Sequence, residues 1–71
     1  MIRKISIGSD YKNAMHYTKG QPFNVTTIHV IRKVSDNHYE IYLKDNEGVV
    51  FLWKDIVNMP CVIEYDLKSF S

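Results

Sequence analysis

Seventy-one residues and a mass of 8.4 kDa make one small domain, residues 1–71. A fold of this size hides only about 60% of the surface its unfolded chain exposes. A hydrophobic share of 45%, a charged share of 24%, three Gly and two Pro exclude a disordered tail, a collagen-like rod and a low-complexity linker. A net charge of +1 gives no general pull toward nucleic-acid polymers, and no apolar run approaches the ~20 residues of a membrane helix.

Eight Ile and seven Val stand against one Ala and three Leu, and five Tyr, three Phe and one Trp join them. Such residues suit a pleated, half-buried surface, so the composition predicts a mainly β chain. In residues 2–7, IRKISI, Ile5 and Ile7 share one face of a first strand, and Lys4 and Ser6 share the other. GSDYKNAMHYTKGQP follows, bounded by Gly8 and by Gly20 with Pro22. Ser9 or Asp10 can cap one or two helical turns there, and an irregular loop of the same length fits as well. Residues 23–34, FNVTTIHVIRKV, form one long or bent strand. Ile28, Val30 and Val34 have one parity and Val25 and Ile31 the other, which is the mark of a bulge or a two-sided strand.

HYEIYLK alternates strictly, with Tyr39, Ile41 and Leu43 on one face. Asp45 to Gly48 supply a turn, with Gly48 suited to a left-handed position, and VVFLWK returns with Val49, Phe51 and Trp53 aligned. KDIVNMP reads as a connection, or as a single helical turn closed by Pro60. In the last strand, CVIEYDL, Cys61, Ile63, Tyr65 and Leu67 face inward, and the tail KSFS is expected to fray. The expected fold is a small five-stranded curled sheet, or a partly open barrel of the Src-homology-3 type, with a long first loop or short helix. Its core contains Ile5, Ile7, Ile41, Leu43, Phe51, Trp53, Ile63 and Leu67. A thin core and open sheet edges lead to the expectation of a homodimer or higher oligomer.

The charges are unevenly placed along the chain. Residues 1–35 carry six basic groups against Asp10, a balance of +5, whereas residues 36–71 carry three basic and seven acidic groups, a balance of −4. Pairing of the two halves across strands is the simplest account, and a positive face that attracts anions is the alternative.

The segment from Gly8 to Phe23 carries the most functional character. Tyr11 and Tyr17 offer flat rings for a base, while Lys12, His16 and Lys19 can meet negative charge. Gly8 and Gly20 allow the backbone close to a ligand. The competing account is a surface loop whose rings cover the barrel. His29 sits in a β-branched run as a strand residue. Cys61 reads as a small buried hydrophobe, Trp53 as a core residue, and Glu40, Glu64 and Asp66 as solvated carboxylates. One Cys and three scattered His give no metal-ligand spacing, so neither metal nor cofactor is expected. A reducing cytosol is the expected setting, with no secretory leader in MIRKISIGSD.

KISIGSDYKNAMHYTKGQ at 4–21 and NMPCVIEYDL at 58–67, joined by a hairpin ending in Trp-Lys, resemble small conserved-hypothetical proteins of T-even-type tailed bacteriophages. The family carries no assigned activity. The resemblance implies an accessory protein in the cytoplasm of an infected bacterium, where such proteins disarm host enzymes or defence systems. No catalytic constellation is readable, and an enzyme ranks last. The expected function is non-enzymatic capture of a small anionic, nucleotide-type signal through Tyr11, Lys12, His16, Tyr17 and Lys19. The alternative is an inhibitor that docks on a host protein.

Overall fold

β-Branched residues occupy long unbroken stretches, and the chain pairs them into two antiparallel sheets. The structure, a computed structural model, describes residues 1–66. Strand β1 (Ile2–Ile7) leads into a 3₁₀ turn (Tyr11–Asn13), then β2 (Met15–Thr18) and β3 (Pro22–Phe23). Strands β4 (Thr26–Ser35), β5 (His38–Lys44), β6 (Val50–Val57) and β7 (Cys61–Tyr65) follow. The order in one sheet is β2-β1-β7, and in the other, a curled half-barrel, β3-β4-β5-β6. This is a small mainly β domain of seven strands, with no α-helix among the described residues.

The count exceeds the expected five for local reasons. The Gly8–Phe23 segment, expected as a loop or short helix, keeps only one 3₁₀ turn. Asp10 caps it, its Oδ1 accepting from Lys12 N at 3.2 Å and its Oδ2 from Asn13 Nδ2 at 2.8 Å. Residues 15–18 then pair with β1, Tyr17 opposite Ile5 and Met15 opposite Ile7. An open β1 edge presents backbone groups that need partners, and that outweighs weak helical spacing. The short strand β3 folds back on Thr26 and Thr27 through Asn24, whose φ of 60° lies in the left-handed region that Asn tolerates.

Bulges set the faces of the large sheet. β4 has two extra residues: His29, between the pairs Ile28–Leu43 and Val30–Tyr42, where the strand bends as expected, and Val34, between Lys33–Tyr39 and Ser35–His38. In β6 the extra residue is Trp53, between Leu52 opposite Tyr42 and Lys54 opposite Ile41. That bulge shifts the alternation and turns Ile56 inward opposite Tyr39. β6 therefore runs on through the segment expected as a connection or helical turn, ending where Asn58 takes a φ of 55°.

The core draws on both sheets, since β1 packs across β4. Ile5, Ile28, Ile41 and Ile56 are the largest fully buried side chains. Ile7 and Leu43 are buried as expected, and Trp53 and Ile63 are partly buried against them. Phe51, expected in the core, is 40% exposed, because it lies beyond the bulge near the open end of β6. Leu67 and the tail fall outside the described residues.

Ile41→Ala removes a fully buried side chain from the centre of the large sheet. It is expected to cost about 2–5 kcal/mol, whereas Val25→Ala at an exposed turn should stay within about 0.5 kcal/mol. Urea unfolding of both variants checks the contrast.

Candidate functional site

The five expected binding residues separate into three places. Tyr17 belongs to the core, only 7% exposed, with its ring edge-on to Trp53 at 5.3 Å. It has no free face for a base, and Tyr17→Ala is a core truncation. The reason is its pairing with Ile5, which turns it inward.

Tyr11 and His16 hold one another on the outer face of β1, their ring centroids 4.6 Å apart. His16 Nε2 lies 3.1 Å from the Tyr11 carbonyl, which can only accept, so Nε2 carries the proton. Nδ1 then accepts from the buried Ser6 hydroxyl at 2.7 Å. Lys4 Nζ adds a contact 5.6 Å from the Tyr11 ring centroid. This group ties the 3₁₀ turn to β1, while Lys12 stands exposed on the turn itself.

Lys19 is elsewhere, at a cleft of about 450 Å³ that it lines with Gly20, Thr27, Ile28, His29, Lys44 and Asp45. Two backbone bonds place its wall: Gly20 N donates to Ile28 O at 2.8 Å, and Ile28 N donates to Gln21 O at 2.9 Å. Gly20 has a φ of 88°, which suits glycine, and open space where a Cβ would stand. His29 reaches the cleft as the bulged residue of β4, and Lys44 comes from β5 opposite Thr27.

The charge in this cleft is positive on balance. Neither Lys19 nor Lys44 has an ion-pair partner among the described residues. Among the described residues, Lys19 Nζ donates only to the weak acceptor Met1 Sδ, at 2.7 Å. Asp45 is the acidic member, but its Oδ1 accepts from Glu47 N and Val49 N, both at 2.9 Å, so much of its charge serves the turn. Elsewhere the two halves of the chain pair as the simpler reading expects: Arg3 and Lys4 meet Glu64, and Arg32 meets Glu40 at 3.4 Å.

His38, Glu40 and Asp55 also converge, their ligand atoms within 4.8 Å of one another. Glu40 and Asp55 face each other across β5 and β6, an unfavourable pairing of like charges. Arg32 and the Tyr42 hydroxyl hold Glu40 Oε1, and His38 Nε2 lies 3.0 Å from Asp55 Oδ1. The hydrogen bond to Glu40, with burial and the Glu40 charge behind it, pushes the Tyr42 phenol above its ordinary value. This cluster is a cross-strand ion-pair network in which Arg32 already supplies the cation.

The sequence shows neither His29 nor Lys44 as a partner of Lys19, because the three come from different elements and no spacing joins them. The one available signal was the parity break at His29. Comparison with protein-family models, curated proteins and solved structures finds no match to this chain.

Burial pushes the Cys61 thiol above its ordinary value, so less thiolate exists near neutrality. At about pH 8, alkylation by iodoacetamide is expected to be several-fold slower than for free cysteine, a difference that urea unfolding should erase. The same shift makes stability fall as pH rises past the unfolded thiol pKa, where the unfolded chain releases that proton first.

Proposed function

We propose that this chain is a non-enzymatic binding protein that captures a small anionic, nucleotide-type ligand in the cleft of Lys19, His29 and Lys44. One observation carries the reading: two lysines without ion-pair partners among the described residues and a histidine border one cleft beside an open glycine backbone. Its volume of about 450 Å³ lies within the range of small-molecule sites. Two charge-assisted contacts to phosphate supply about 3–6 kcal/mol together. A base stacked on the His29 ring adds about 1–3 kcal/mol, for a gross gain of about 4–9 kcal/mol. The cost of immobilising the ligand comes off that sum, so the expected affinity is micromolar at best. Tyr11 and Lys12 lie outside this cleft and are not assigned to it.

In the infected bacterial cytoplasm that the sequence resemblance suggests, removal of a nucleotide signal would antagonise a host or anti-phage defence. Within the mainly β fold we further infer a partly open barrel of the Src-homology-3 type. The curled β4-β5-β6 meander and the contact of β1 with β4 support it.

Titration calorimetry with purine mono-, di- and triphosphates and cyclic dinucleotides tests the proposal. At least one of these is expected to bind, and Lys19→Ala with Lys44→Ala should weaken it at least about tenfold while leaving the melting temperature nearly unchanged. If the parent binds none of them, or the double variant binds equally well, the cleft is not the site.

A further inference from the structure

Six of the eight residues of β6 are apolar, yet only Ile56 is buried. Val50, Phe51, Leu52 and Val57 are 45%, 40%, 44% and 48% exposed, and Val49 extends the run into the turn. β6 is also the last strand of its sheet, so its outer row of backbone groups faces no strand among the described residues. Long apolar edges of this kind are a hazard that folded proteins avoid or cover. A row of backbone donors and acceptors beside exposed apolar residues is completed by another strand, and the question is whose.

The pattern within β6 selects a copy of itself. Pairing with β5 puts Val50, Leu52, Asp55 and Val57 on the outer face, opposite Lys44, Tyr42, Glu40 and His38. Phe51, Lys54 and Ile56 lie on the inner face, opposite Leu43, Ile41 and Tyr39, and the bulged Trp53 packs inward beside them. A bulge ordinarily discourages edge pairing. Here its shift of one residue makes the two face patterns symmetric about the Trp53–Lys54 bond.

We propose that the outer edge of β6 is a two-fold interface, at which a second copy adds its own β6 antiparallel about that point. Val50 then lies opposite the other copy's Val57, and Phe51 opposite its Ile56. Leu52 meets Asp55, and Trp53 meets Lys54. Every opposed pair shares a face, as an antiparallel ladder requires, and no like charges oppose each other. Lys54 Nζ already lies 5.1 Å from the centroid of its own Trp53 ring, a cation–ring attraction that the junction offers again between copies. Lys54 and Asp55 leave the strand with no net charge, so two copies approach without repulsion at this edge. The junction joins two four-stranded sheets into one continuous sheet and thickens a core that is small in each chain alone.

Sedimentation equilibrium of the full chain at about 100 μM is expected to give twice the 8.4 kDa chain mass. Leu52→Lys, at an exposed outer-face position, should give the monomer mass with an unchanged far-ultraviolet spectrum, while Met15→Lys on the edge strand β2 should leave the dimer intact. The register has its own test. Val50→Cys with Val57→Cys, in a Cys61→Ala background, should form a disulfide between chains on mild oxidation, since the two positions lie too far apart along one strand to join within a chain. A monomeric parent, a dimer that survives Leu52→Lys, or no cross-link in an otherwise dimeric double-cysteine variant overturns the proposal. A monomeric parent would leave β6 to a partner of another kind.

Discussion

Four isoleucines, one each from β1, β4, β5 and β6, belong to the single core of the described residues. Burying such a side chain is worth about 1.5–3 kcal/mol, and a domain of this size has few other sources of stability. Ile5 brings the small sheet against the large one, because β1, the central strand of the three-stranded sheet, also packs on β4. The polar face of β1 is held as well, by Ser6 and His16. Loss of β1 would therefore open the core and release β2 and β7 together.

Bulges turn this simple core into surfaces with chemistry. A regular β4 would not place His29 as an extra residue beside the Gly20 turn. A regular β6 would leave Ile56 on the outer face, where His38 and Asp55 lie. Each bulge gives up local ladder bonds and re-aims one side chain. At Trp53 the re-aimed ring fills the space between Tyr17 and Phe23, with centroids 5.3 and 4.8 Å away. This links β6 to β2 and β3 and leaves the outer edge of β6 uncovered.

The parts of the fold written in strict alternation were legible in the sequence. Tyr39, Ile41 and Leu43 are all buried, the Asp45–Gly48 turn forms with Gly48 at a φ of 90°, and Ile5 and Ile7 face the core. Strand β2 was hidden because four residues carry little periodic signal, and because what stabilises them is β1, eight to fourteen residues away in sequence. Ile56 lies in a segment that reads as a connection, and its inward turn follows from the register shift at Trp53, which no composition announces. Phe51 keeps the expected inner face but sits near the open end of β6, where little covers it. Of the site, only Lys19 was legible. The other members of its cleft become neighbours through the register of β4 on β5, a long-range property that residue spacing does not encode.

Lys19 follows a strand of the small sheet, whereas His29 and Lys44 belong to the large one. A ligand held by all three would act as a clasp between the two halves of the molecule. Its binding free energy would then oppose the separation of the sheets, the motion by which so small a core is first exposed to water. Occupancy and rigidity would be linked quantities: the filled protein would open less often and resist proteolysis longer than the empty one.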